Sequence, residues 1–322
     1  MDRVLDQPVL SRRRETSWSL GVAFVVMVAL LVAAPFVVYP VLLMEALCFA
    51  LFACAFNLLI GYVGLISFGH ALFFGWASYL TAHAAKVWAL PPGLAVIVGT
   101  ATAAVLGLVA GGLAIRRQGI YFAMITLALS QMMYFFALRA KFTGGEDGIQ
   151  GVPRGRLFGF FDLSNEMTMY VFVLLVVLAG FLLIYRIINS PFGEVLKAIR
   201  ENEPRAISLG YKTERYKLVA FVLSATLAGL AGSLKSLVFQ LASLTDVHWT
   251  MSGDVVLMTL LGGLGTVFGP VVGAFLVIAM QNYLAPFGQW VLVIQGAVFV
   301  ACVLAFRRGI VGELASRMRI RL

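Results

Sequence analysis

The chain is a succession of long apolar runs separated by short polar or glycine-rich breaks. Runs of roughly 20 residues match the length a helix needs to cross hydrocarbon. They predict crossings over residues 20–38, 41–60, 65–85, 93–115, 120–138, 169–188 and 218–238. Tyr39–Pro40 breaks the first run, and Gly61-Tyr-Val-Gly64 makes a tight break after the second. Beyond residue 251 the runs are less regular. A short one over 253–261 precedes the break GGLGTVFGP, and two more follow over 267–283 and 289–306. The short run falls below the ~17 residues of a full crossing, so a tilted, broken or sheltered helix is expected there.

Two segments stand outside this pattern. Residues 190–217, SPFGEVLKAIRENEPRAISLGYKTERYK, form a charge-dense island. Ser190 can cap a helix with Pro191 at its first position, where a missing N–H is harmless. Val195, Leu196 and Ile199 recur at helical spacing. Asn202 offers a second cap, with Pro204 in the next first turn, Ile207 and Leu209 as apolar members and Gly210 as a stop. The expectation is two short helices outside the membrane, presented to a partner, against the simpler reading of a solvated linker. The other segment, 139–166, is polar and glycine-rich. It reads as an ordered extramembrane loop with turns at Gly144–Gly145, Asp147–Gly148 and Pro153. It is not a phosphate loop, because the Lys–Ser/Thr ending and a preceding strand are missing.

The composition is 61% hydrophobic and only 12% charged. Soluble domains carry about 25% charged residues, so this is a membrane protein, and no gap between apolar runs is long enough for a soluble core. The net charge of +9 is not a sign of nucleic-acid binding. Of 24 Lys and Arg, 18 fall in four places: Arg3 and Arg12 to Arg14, Arg116–Arg117, the region from Arg186 to Lys217, and Arg307, Arg308, Arg317, Arg319 and Arg321. Placed on one side, these are the cytoplasmic excess of a membrane protein. That condition requires an odd number of crossings after residue 245; three fit, for a total of about ten. The expected fold is therefore an all-α polytopic membrane protein of about ten transmembrane or half-membrane helices in one domain, 1–322. Residues 1–17 and 307–322 would be cytoplasmic tails, 139–166 periplasmic and 189–217 cytoplasmic. The first run lacks a small-residue cleavage pattern after it, so no cleavable signal peptide is expected.

Chemistry within the runs is sparse. Cys48, Cys54 and Cys302 read as small buried hydrophobes. Glu45 reads equally as an interfacial or a functional group, and Lys235 and Asp254 sit near run ends. The stretch 65–85 is studded with Ser67, Gly69, His70, Gly75 and Ser78; small residues allow close helix approach, and glycine permits unwound backbone beside a cavity. The simpler reading of His70 is a hydrogen bond to a neighbouring helix rather than a substrate contact. GYVGLISFGHALFFG and GGLGTVFGPVVGAFL are faintly alike, which marks a candidate inverted repeat with the solute path at its interface. Asn57, Ser67, Gly69, His70, Gly262, Gly263 and Gly265 are the candidate path residues. A membrane-embedded enzyme is disfavoured: no metal-spaced cluster or nucleophile–base pair stands out. A stand-alone secondary transporter would need more intramembrane ionisable groups.

Five segments in order carry a resemblance: GYVGLISFGHALFFGWASY (61–79), IRRQGIYFAMITLA (115–128), FTGGEDGIQGVP (142–153), the stretch 190–232 from SPFGEVLKAIRENEPRAISLG onward, and LLGGLGTVFGPVVGA (260–274). On these the chain resembles the LivM-like branch of the permease family of branched-chain amino acid ABC importers, over nearly its whole length after residue 40. The resemblance implies that 189–217 is a cytoplasmic coupling loop docking on an ATPase. Glu203, Ala206 and Gly210 fall where such loops carry a loose Glu-Ala-Ala…Gly pattern, although Pro204 and Arg205 depart from it. Glu194, Lys197, Arg200, Glu201 and Arg205 would then set partner register. Also implied are a second related permease, two ATP-binding subunits, a periplasmic substrate-binding protein and the bacterial inner membrane. No cofactor, metal or nucleic acid is implied, and no enzymatic activity, since the chain has no P-loop. The implied cargo is branched-chain amino acids or related small amphipathic solutes, with urea or short amides as the nearest alternative.

Overall fold

The computed structural model describes residues 9–157, 161–288, 290–306 and 309–317. Arg3, Arg307, Arg308, Arg319 and Arg321 of the expected tails lie outside the described residues. In chain order the helices are α1 Val9–Ala33, α2 Pro40–Asn57, α3 His70–Lys86, α4 Pro92–Ala114, α5 Ile120–Arg139, α6 Glu166–Ile188, α7 Pro191–Glu201, α8 Glu203–Ser208, α9 Thr213–Phe239, α10 Trp249–Gly262, α11 Gly269–Leu284, α12 Trp290–Ala305 and α13 Gly309–Arg317. Among the described residues, 6 helical segments are long and apolar enough to cross a membrane: Pro40–Val63, Pro92–Ala114, Ile120–Arg139, Glu166–Ile188, Thr213–Phe239 and Gly269–Phe287. The apolar stretches Gly21–Phe36 and Trp290–Cys302 are shorter. So are α3 and α10, at 17 and 14 residues. The helical body is thus made up of long and short helices. α3 is almost wholly buried, and α10 packs against α2, α3 and α11.

α2 is the hub. Apart from Glu45, every residue from Leu43 to Asn57 is buried, against α6, α9, α10 and α11. A second layer of α3, α4 and α9 packs beside it. Lipid tails are as apolar as leucine, so helices join by close fit rather than by escape from water. Glycine supplies the fit. A Cβ on Gly232 of α9 would lie 2.0 Å from the Phe74 carbonyl oxygen of α3, and one on Gly229 2.1 Å from Ala103 Cβ of α4. Ala225, Ala228 and Ala231 of α9 are fully buried beside these glycines.

Several boundaries differ from the sequence expectation: α1 starts at Val9 rather than at residue 20, and α10 at Trp249 rather than at residue 253. α2 does not stop at residue 60 but continues through a π-helical turn, Leu58–Val63, to Gly64 at φ 82. Residues 65–69 are not helical, and α3 starts at His70 rather than at residue 65. α9 starts at Thr213, five residues before the expected start at 218, so the island's last charges sit on its first turns.

Segment 139–166 is ordered by short strands and by attachment to α9. β1 Ile149–Gln150 pairs antiparallel with β4 Leu241–Ala242, and β2 Arg156–Leu157 with β3 Phe161–Asp162. Arg154 donates from Nε to Leu237 O at 3.3 Å and from Nη2 to Val238 O at 2.7 Å. These are carbonyls of the last turn of α9, which a helix leaves without internal partners.

The glycine contact gives a matched test. Gly232→Val should destabilise the protein by about 1–3 kcal/mol or block folding, because the Phe74 backbone cannot yield. Gly112→Val on α4, where nothing lies within 4 Å, should leave stability unchanged. Thermal unfolding of the detergent-solubilised proteins separates them; equal midpoints would refute the packing role.

Candidate functional site

The polar island folds as its caps dictate. Ser190 Oγ accepts from Gly193 N at 3.3 Å and starts α7; Asn202 Oδ1 accepts from Arg205 N at 3.0 Å and starts α8. α7 buries Gly193, Leu196 and Ile199 against α6, α9 and the π turn of α2. Ala206 anchors α8, and Gly210 turns the chain at φ 89, a conformation that favours glycine.

The charged residues divide into two sets. Glu203 turns back onto Lys217 at 2.5 Å, half-sheltered from solvent, and so ties α8 to α9. Glu194 and Lys197 pair along α7 at 2.9 Å, in the open. Glu201 and Arg205 are exposed. With them are apolar side chains: Ile207 is 55% exposed, Leu209 70% and Tyr211 40%. Gly210 lies between the last two. Exposed leucine and isoleucine on a polar, glycine-jointed projection are suited to a partner surface.

Arg200 does something else. Its stem lies over Gly64, whose Cβ would sit 3.1 Å from Arg200 Cγ. Its guanidinium donates through Nη1 to the carbonyl oxygen of Gly61. Beside it, Asn57 Nδ2 donates to Thr266 O at 2.9 Å, and Asn57 Oδ1 accepts from Gly265 N at 3.0 Å. Tyr62 donates its hydroxyl proton to Gly265 O at 3.0 Å. Thr266 Oγ1 donates to Gly263 O at 2.8 Å and accepts from Gly269 N at 3.1 Å. Gly309, at the start of α13, closes on Gly263: its Cβ would be 2.4 Å from Gly263 Cα. The two glycine breaks, expected as matching points of a repeat, therefore pack against each other. Arg200, expected to face a partner, is exposed and also bonds to the first of them.

This junction unites one expected coupling residue, Arg200, with expected path residues Asn57, Gly263 and Gly265. The sequence reading missed Tyr62 and Thr266. A tyrosine inside a glycine break was the available signal, since a buried phenol needs a partner. Gly262 packs on the Gly269 carbonyl oxygen, 1.8 Å from where its Cβ would stand.

The other path candidates lie elsewhere, in the core. Ser224 Oγ donates to Ala55 O at 2.6 Å and so accepts from His70 Nε2–H at 2.9 Å. The rings of Phe56, Phe73 and Phe221 meet the imidazole edge-on at centroid distances of 5.0, 5.7 and 5.9 Å. His70 is thus bonded to a neighbouring helix, as its simpler reading had it. Ser67 is buried and accepts from Gly69 N at 3.2 Å. Gly69 abuts the Thr126 carbonyl of α5, 2.6 Å from where its Cβ would be.

Comparison with known proteins bears on this arrangement. Residues 38–303 match the family described as branched-chain amino acid transport system / permease component. The chain is 25% identical over 288 residues to the high-affinity branched-chain amino acid transport system permease protein LivM of Escherichia coli (strain K12), covering 82% of this chain and 68% of that protein. It is 30% identical over 126 residues to the probable branched-chain amino acid transport permease protein LivH of Methanocaldococcus jannaschii, covering 38% of this chain and 36% of that one. It is 28% identical over 188 residues to the ribose import permease protein RbsC of Bacillus subtilis (strain 168), covering 56% of this chain and 58% of that protein. No solved structure matches the chain significantly.

The bonds at Asn57 can be tested apart from any activity. Asn57→Leu keeps the branched shape but strands the Gly265 N–H and the Thr266 carbonyl, a loss of about 1–3 kcal/mol. Tyr62→Phe removes one bond and should cost about 1 kcal/mol. Unfolding midpoints should fall in that order; an unshifted Asn57→Leu protein would show that these bonds do not hold the loop.

Proposed function

This chain belongs to the family of permease components of branched-chain amino acid transport systems, and from that premise we propose that it forms the solute path of an ABC importer powered by separate ATP-hydrolysing subunits. The observation that carries the proposal is the rooting of α7 by Arg200 in the joined glycine breaks. A pair of helices that projects exposed apolar groups from α8 and the turn after it, and holds unwound backbone through Arg200 of α7, can transmit a partner's movement inward.

In this reading α7 and α8 face the cytoplasm, segment 139–166 faces the periplasm, and the chain crosses the bacterial inner membrane about ten times with both ends cytoplasmic. The clustering of basic residues in the island, in Arg116–Arg117 and in both tails supports that orientation. The ATP-binding subunit meets Ile207, Leu209 and Tyr211 around Gly210, with Glu194, Lys197, Glu201 and Arg205 setting register by charge. Glu203 supports the loop from behind through Lys217. A second related permease, which the similarity to both LivM and LivH proteins supports, completes the membrane core, and a periplasmic binding protein delivers the solute.

Transport then follows from leverage. When the docked subunits close, α7 shifts, and Arg200 carries Gly61 and the 263–268 loop with it. Backbone bonds at Asn57 and Tyr62 keep the two breaks moving as one unit, so the path alternates its access. Asn57, Gly262, Gly263 and Gly265 lie at this moving part; Ser67, Gly69 and His70 belong to the packed body beside it. The cargo is a branched-chain amino acid or a related small amphipathic solute, with urea and short amides as the alternative. Similarity to a ribose import permease as well supports selection by the binding protein rather than by the path.

Arg200→Ala should leave complex assembly and ATP hydrolysis in place while lowering solute uptake by about 2- to 30-fold, the range set by ~0.5–2 kcal/mol of coupling energy. Leu209→Asp should instead reduce co-purification of the ATP-binding subunit. Wild-type uptake by the Arg200→Ala complex would rule out this coupling route. ATP-independent uptake by the chain alone would favour a stand-alone transporter.

A further inference from the structure

Lys235 lies in the last turns of α9, four residues before its end at Phe239. α9 spans roughly 40 Å, at ~1.5 Å per residue, so this point is remote from α7 and α8. Its Nζ forms an ion pair with Oδ1 of Asp246, on the 3-10 turn Leu244–Asp246 that follows β4. The Lys235 side chain is 15% exposed and that of Asp246 only 1%. The rings of Phe49, Phe74 and Phe239 surround the ammonium at 5.7, 5.8 and 5.8 Å. The next residue, Val247, seats the turn on α3: a Cβ on Gly75 would stand 2.4 Å from Val247 Cγ2. The pair thus fastens the turn over the ends of α2, α3 and α9.

Breaking such a pair and leaving one charge buried alone is strongly unfavourable. A second carboxylate removes that obstacle. Glu45, in the second turn of α2, stands one helical turn before Phe49, on the same face of the helix, and the Phe49 ring lies 5.7 Å from Lys235 Nζ. Glu45 forms no ion pair or hydrogen bond among the described residues. An ammonium has three donors and can pass from one carboxylate to another without ever being unpaired.

We propose that Lys235 exchanges Asp246 for Glu45 when the extracytoplasmic end opens, so that Glu45 is the positioning residue that lets the 243–248 turn lift without stranding a buried charge. This rests on the importer reading above. The two states then differ by where one ammonium is paired, which makes the turn bistable rather than merely loose. Docking of a solute-loaded binding protein against the turn would shift the balance toward Glu45.

A native thiol reports on the exchange. Cys48 is fully buried, three residues after Glu45 on α2 and next to Phe49, whose ring lies by the Lys235 ammonium. With Cys54 and Cys302 replaced by alanine, the intact complex in lipid vesicles is treated with N-ethylmaleimide, at rest and with ATP plus solute-loaded binding protein. Asp246→Asn should raise the resting rate of Cys48 labelling by about fivefold or more, because Lys235 then has only Glu45. Glu45→Gln should abolish the rise that ATP and binding protein elicit and lower uptake by a similar factor, with Glu45→Asp restoring part of both. Glu45→Gln touches no bond of the resting structure, so it remains informative if Asp246→Asn fails to fold. Wild-type uptake together with a wild-type rise in labelling in Glu45→Gln would overturn the proposal, as would an unchanged resting rate in Asp246→Asn. If the unmutated complex shows no ATP-driven uptake, the importer reading fails instead, and the resting comparison of Asp246→Asn still decides the exchange.

Discussion

Backbone that leaves the helix inside an apolar body has no water to bond with, and every N–H and C=O so released must find a partner in the protein. The chain meets this demand at one place by making two unwound segments satisfy each other. Asn57 offers a donor and an acceptor on one side chain, and both are used, on Thr266 O and Gly265 N. Tyr62 takes the remaining Gly265 carbonyl, and Arg200 reaches from outside to the Gly61 carbonyl. A bulkier residue would not fit: a Cβ on Gly61 would be 2.3 Å from Asn57 Oδ1 and 2.9 Å from Gly265 N. Close approach and hydrogen bonding therefore demand the same glycines.

From this constraint follows the difference between the two ends of the body. At the island end, α7 is held by three buried residues and one arginine, while α8 rests on Ala206 and the Glu203–Lys217 pair. These few contacts can move as a unit. At the other end the chain is stitched at several points: Arg154 on the last carbonyls of α9, β1 against β4, and Lys235 on Asp246. α2 connects the two ends, with Glu45 near its start and Asn57 at its close, and its burial makes it stiff. A rigid buried rod between a hinged end and a fastened end suits alternating access, in which one side opens as the other shuts.

Membership of the permease family agrees with what the chain's polar groups are engaged in. His70, the one histidine deep in the helical body, is bonded to Ser224 and ringed by phenylalanines. Glu194, Glu201 and Arg205 sit exposed on the island, with Lys197 paired to Glu194.

Much of the architecture was legible in the sequence because it depends on local chemistry. Run length marks helices long enough to cross a bilayer, and Ser190, Pro191, Asn202 and Gly210 mark the two short helices between them, since caps and turns are made by neighbours in the chain. The likeness of five ordered segments was enough for the family. Partnership between distant residues was not legible. Nothing in the order of residues tells that Arg200 bonds to Gly61, that Glu203 folds back on Lys217, that Lys235 finds Asp246, or that residues 58–63 continue α2 as a π turn. Each outcome depends on which helix faces lie within about 3 Å of each other, a distance that side-chain packing decides and that spacing along the chain does not encode.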